Sequence, residues 1–170
     1  PTPMPPAAET DVDGSWANVV EVSAVDELLA AIGDYTKIIL AEGNYDLSTA
    51  ADYGAAADGA RYRWEEVYDM ETEGYTGTAF ELIISGVKNL AIVAADGAKV
   101  TISAVPRYAN VLRFESCSDL VLHGMTVGHT EEPGVCAGGV VLLDSVNGAK
   151  ISACSLYGCG TVGVQAYTCR

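Results

Sequence analysis

The chain has 170 residues, enough for one domain with a real core and too few for two comfortable ones. Half of it is apolar (49%), with 18 Gly and only 2 Phe, which excludes a disordered chain and points to short strands joined by tight turns. Nine Lys and Arg against 23 Asp and Glu give a formal charge of −14, a surface that repels a phosphate backbone and argues against nucleic acid as a partner.

No apolar run is long enough to span a bilayer, and no signal peptide is present. Residues 1–13 open with Pro1-Thr2-Pro3-Met4-Pro5-Pro6 and read as an extended Pro-rich linker. Such a segment commonly follows a removed signal or lipoprotein anchor. The expectation is therefore an exported bacterial protein, secreted or held at the cell surface, with residues 14–170 as its one folded domain.

Val22 to Ile32 predicts a short amphipathic helix. Ser23 is placed to cap it, Asp26 stands three residues on, and Val25, Leu28, Leu29 and Ile32 share one face before Gly33 ends it. A strand follows at Lys37-Ile38-Ile39-Leu40. The stretch from Thr49 to Thr78 is irregular and rich in Ala, Gly, Tyr and acids. It predicts an excursion from the main body, partly helical around Arg61 to Met70.

From Glu81 onward the chain repeats itself. Segments beginning at Leu82, Leu112, Val141 and Val164 superimpose, with steps of 30, 29 and 23. A second short strand follows each of the first three, at 90–92, 120–122 and 149–151. A repeat of this length, with two or three strands and no helix, predicts a β-solenoid whose neighbouring turns stack about 4.8 Å apart. The N-terminal helix would cap its open end. The chain stops at Cys169-Arg170 in mid-coil, which predicts a truncated C-terminal end and self-association through the uncapped last coil.

The helix, the run Ile38-Ile39-Leu40-Ala41-Glu42-Gly43-Asn44-Tyr45-Asp46-Leu47 and the later Val87-Lys88-Asn89-Leu90-Ala91-Ile92 resemble the pectate-lyase-like superfamily. The stretches 128–140 and 156–164 are similar to bacterial β-helix repeat proteins of undefined activity. The resemblance implies an all-β fold: a right-handed parallel β-helix of about four coils. It also implies a carbohydrate-related role, binding or processing polysaccharide. The superfamily holds polysaccharide lyases, glycoside hydrolases and non-catalytic surface proteins, so the alternative is a structural or adhesive surface module. If the chain is an enzyme, a lyase or glycoside hydrolase is implied; the 170 residues alone favour a non-catalytic module.

Stacking turns register into proximity. Cys136 and Cys159 each lie five residues before a repeat start, so they form a disulfide or a plain stacked pair, with a reactive thiol or a soft-metal site with His129 as the functional alternatives. Cys117, Cys154 and Cys169 read as small buried apolar residues. The outward register sets Ser85, Glu115, Asp144 and Tyr167 in line, with Arg113 beside Glu115. Glu115 and Asp144 together suit calcium or a shared proton, and the plainer reading is an exposed pair relieved by Arg113. Superfamily lyases use carboxylates with calcium and a basic residue to abstract a sugar proton, which makes Glu115, Asp144, Arg113 and His129 the catalytic candidates. His129 sits in a loop beside Glu131 and Glu132, where anchoring the loop is the other reading. His123 faces outward opposite Ser152, and Arg107 and Tyr108 line the same side of the molecule as the candidates. Tyr53, Tyr62, Trp64, Tyr68 and Tyr75 of the excursion either stack on sugar rings or pack the excursion down.

Overall fold

The computed structural model describes residues 16–55, 61–130, 138–158 and 162–170. The expected linker, Glu131, Glu132, Cys136 and Cys159 lie outside the described residues, so the proposed cysteine pair does too.

Strand β1 (Asn18–Val22) leads into helix α1 (Val25–Ala31), then β2 (Thr36–Leu40) and β3 (Gly43–Asp46). The excursion carries β4 (Tyr62–Glu66). Three successive strand triplets follow: β5 (Phe80–Ser85), β6 (Lys88–Ala94), β7 (Val100–Ala104); β8 (Leu112–Glu115), β9 (Ser118–His123), β10 (Thr126–His129); β11 (Val141–Asp144), β12 (Asn147–Ser152), β13 (Ser155–Tyr157). Strand β14 (Val164–Tyr167) closes the series.

Each strand of a triplet joins a different sheet. The orders are β1-β2-β6-β9-β12, then β13-β10-β7-β3, then β14-β11-β8-β5-β4. The first two sheets are wholly parallel. The third is mixed, because β4 runs antiparallel to β5 with Trp64 opposite Leu82.

This pairing corrects the expected architecture. A right-handed parallel β-helix of all-parallel coils was the expectation; the described residues instead make three separate sheets, two all-parallel and one mixed, mostly β with one α-helix and one short 3-10 turn at Leu47–Thr49. The physical source of the difference is the excursion. Tyr62 and Trp64 alternate with Arg63 and Glu65, a period of two that makes a strand of what was expected to be partly helical. Residues 67–79 then carry the chain round from Glu66 to Phe80, which stand opposite each other at the start of an antiparallel ladder.

The helix differs in detail. Ala24, not Ser23, is the residue preceding the helical turn, and it supplies no side-chain cap. Ser23 donates through both its N–H and its hydroxyl to Glu27 (2.8 and 3.2 Å), while Asp26 accepts from the Ala51 N–H at 2.9 Å. Glu27, one residue further on, therefore does the reaching back that was expected of Asp26. Leu28, Leu29 and Ile32 are buried, so the apolar face is the expected one.

One apolar cluster draws on all three sheets, including Ile38, Ile84, Ile92, Ile102, Phe114 and Val127. Alternation along each strand sends the intervening residues outward. The outward side of the mixed sheet thereby receives Arg63 and Glu65 from β4, Glu81 from β5, Arg113 and Glu115 from β8 and Asp144 from β11. Just past β5, β8, β11 and β14 the backbone turns through the left-handed region at Gly86, Ser116, Ser145 and Thr168. Three of these four are not Gly, and their amides keep the ladder going: Gly86 N–H to Glu115, Ser116 to Asp144, Ser145 to Tyr167, each 2.9 Å.

Candidate functional site

The register sets Ser85 beside Glu115, Glu115 beside Asp144 and Asp144 beside Tyr167. Glu115 is nevertheless not a free carboxylate. Arg63 donates to its Oε2 at 2.8 Å, and Arg113 lies 2.6 Å from its Oε1. Burial by itself would raise the Glu115 pKa, but the Arg63 hydrogen bond and the charges of Arg113 and Arg63 outweigh it and hold the carboxyl below its ordinary range.

Arg113 reaches further, to the 6%-exposed Glu81 at 2.6 Å and to Glu65 at 3.5 Å. Burial would lower its pKa, and the Glu81 hydrogen bond with the charges of Glu81, Glu115 and Glu65 reverses that, so the guanidinium holds its proton more firmly than usual. Glu81 was not among the expected site residues. Its second oxygen accepts both the backbone N–H (2.9 Å) and the side-chain amide (3.1 Å) of Asn110, whose own oxygen accepts the Gly139 N–H at 3.0 Å. Sequence reading passed over Glu81 and Asn110, because the contacts of Glu81 with Asn110 and with Arg113 join residues 29 to 32 apart in the chain, and over Arg63, because β4 was not recognised. The alternation Tyr62-Arg63-Trp64-Glu65 was the signal that would have found it.

Asp144 takes a different part. Its Oδ1 accepts from the neighbouring Ser145 hydroxyl at 2.9 Å. With both Glu115 oxygens engaged by guanidinium groups, Glu115 and Asp144 do not fit a calcium site in this arrangement. Among the described residues no group of three or more His, Cys, Asp or Glu side chains is placed to hold a metal. Nor does the arrangement suit proton abstraction by Arg113, since a base must first give up a proton that three carboxylates hold on it.

His129 is not in a loop. It ends β10, is 2% exposed, and lies 2.7 Å through Nε2 from the Ala109 carbonyl. A carbonyl only accepts, so Nε2 carries the proton; Nδ1 is buried with no hydrogen-bond partner among the described residues. This tethers the loop that follows β7. His123 Nδ1 meets the Ser152 hydroxyl at 2.9 Å, on the register expected. Cys117 is buried, but Cys169 is exposed and Cys154 half-buried, which corrects the expectation of three buried thiols.

The aromatics divide into two sets. Tyr53 packs edge-on against Trp64 and Phe80, and Asp52 accepts from the Tyr62 hydroxyl (2.6 Å) and the Trp64 indole (3.2 Å). Burial, then the Asp52 hydrogen bond and charge, push the Tyr62 phenol up to about 12. These rings anchor the excursion. Tyr68 and Tyr75 sit at its tip, 48% and 68% exposed, edge to face with centroids 5.5 Å apart. The tip is itself fixed: Asp69 and Gly74 form a bridge, Asp69 accepts from the Glu71 and Thr72 amides, and Arg107 pairs with Glu71.

The Glu115 arrangement makes a pH prediction. A depressed folded-state pKa contributes stability that is fully present above the unfolded value, about 4.3, and is lost as pH falls through the lower folded value. Wild-type denaturant midpoints are expected to fall on acidification below about pH 4, and Glu115→Gln to show a shallower fall. Parallel acid limbs for the two proteins would contradict this.

No protein-family model matches the chain, and no curated protein or solved structure matches it. No helix among the described residues is long and apolar enough to cross a membrane.

Proposed function

We propose that the chain is a polysaccharide-binding module without catalysis of its own, working outside the cell. The observation that carries this reading is the Tyr68–Tyr75 pair, two large rings held exposed on an anchored tip. Isolated exposed side chains need no explanation, but two aromatics packed together in water on a fixed support present flat apolar faces that suit sugar C–H groups. The engagement of Glu115 and Arg113 in mutual ion pairs supports binding over turnover, because neither is left at a pKa suited to acid–base work. Affinity electrophoresis of the full chain through gels cast with neutral, anionic and cationic polysaccharides tests it, alongside an assay for released reducing ends and unsaturated products. Retardation without product is expected. Migration unchanged in every gel would end the binding reading, and a product signal abolished by Glu115→Gln would replace it with an enzyme.

A further inference from the structure

Resting on the carbohydrate reading, we infer that the tip carrying Tyr68 and Tyr75 takes a cationic, amino-sugar polymer and not a polyuronate. The segment that carries the rings is one-signed, with Arg107 from elsewhere in the chain offsetting Glu71. From Glu65 to Ala79 the chain holds Glu65, Glu66, Asp69, Glu71 and Glu73 and neither Lys nor Arg. Several of these acids are spent on holding the tip in shape. Asp69 accepts from the Glu71 and Thr72 amides, Glu66 from the Gly77 amide, and Glu71 pairs with Arg107.

Glu73 is different. It is exposed, two residues from Tyr75, and among the described residues it has no ion-pair partner. A sugar ring lying on Tyr75 would rest on the segment that carries this carboxylate two residues away in the chain. An ammonium there is attracted, both by Glu73 and by the negative face of the phenol ring. A uronate meets like charge at the same place, reinforced by the −14 of the chain as a whole. The ring pair supplies the stacking surface and the carboxylate selects the sign of the ligand.

The test uses the intact chain and soluble oligomers of glucosamine, of N-acetylglucosamine and of galacturonate, with oligolysine as a charge-only probe, by calorimetry below the pKa of the amino sugar. The glucosamine oligomer is expected to bind most tightly. Tyr75→Ala, which removes a 68%-exposed ring and no charge, and Glu73→Gln, which removes a charge and no ring, are each expected to weaken it about tenfold. Circular dichroism confirms that both variants stay folded. Equal or tighter binding of the acetylated or uronate oligomer, still weakened by Tyr75→Ala, overturns the ligand class and leaves the carbohydrate reading standing. Oligolysine binding as well as glucosamine, with no effect of Tyr75→Ala, overturns the site by reducing it to adsorption of opposite charges. Binding of no saccharide at all takes the carbohydrate reading down with it.

Discussion

Glu81→Ala is expected to lower the unfolding free energy by about 3 kcal/mol, measured from denaturant curves at neutral pH. The size follows from what the carboxylate holds. It is 6% exposed and accepts from Arg113 at 2.6 Å and twice from Asn110, at 2.9 and 3.1 Å. Removing it leaves a guanidinium, itself little exposed, short of its nearest counter-charge, and leaves the Asn110 amide without its acceptor. Glu115 still faces Arg113, which keeps the loss toward the lower end for a broken buried pair. Glu81→Gln is expected to cost less, because an amide oxygen still serves Asn110 while the charge is gone. Glu65→Ala makes the contrast: its carboxylate is half-exposed and 3.5 Å from both Arg113 and Arg63, so the cost should be about 0.5 kcal/mol. Equal losses for Glu81→Ala and Glu65→Ala would show that burial does not govern this network.

The same residues show where the sequence could be read and where it could not. Apolar alternation fixes which face of a strand turns inward, and that placed Glu115, Asp144 and Tyr167 on one line, as Asp144↔Glu115 and Asp144↔Tyr167 pairing confirms. The repeat also aligned Leu112, Val141 and Val164 residue for residue. Alternation does not report what comes to lie over a face from elsewhere in the chain. Arg63 is 52 residues from Glu115, and no local pattern links them. Treating the excursion as partly helical hid β4, and with it the antiparallel partner that makes the third sheet mixed and turns an apparent carboxylate pair into one carboxylate pinned by two arginines. His129 failed for a related reason. Polar neighbours in sequence suggested an exposed loop, yet a strand end can bury an imidazole when a distant carbonyl is there to accept its proton, as Ala109 is. Cys169 shows the converse: an inward register buries a side chain only where something covers it.

Gly138→Ala tests how tightly the loop beside this network is held. A Cβ at Gly138 would stand 2.6 Å from the carbonyl carbon and oxygen of Ala109 and 2.7 Å from the Tyr108 oxygen, all of them backbone atoms. A flexible side chain could swing away; a backbone cannot, so residues 108–110 must shift as a unit. That segment receives His129 through the Ala109 carbonyl and presents Asn110 to Glu81, so the displacement strains two buried hydrogen-bonded contacts at once. Overpacking with backbone movement of this kind costs about 3 kcal/mol. Gly139→Ala should be milder, since its closest contacts are 3.2 Å to the Val162 oxygen and 3.4 Å to the Asn110 side chain. Gly74→Ala, with nothing within 4 Å, should change stability by less than about 0.5 kcal/mol. The ordering Gly138, Gly139, Gly74 in denaturant midpoint is the expected result. Because Arg107, next to this segment, pairs with Glu71 in the tip, Gly138→Ala should loosen the tyrosine pair as well. Faster amide hydrogen exchange in 68–75 would register that loosening. A Gly138→Ala protein as stable as the Gly74→Ala control would mean that residues 108–110 are free to move away, and that the network does not depend on their position.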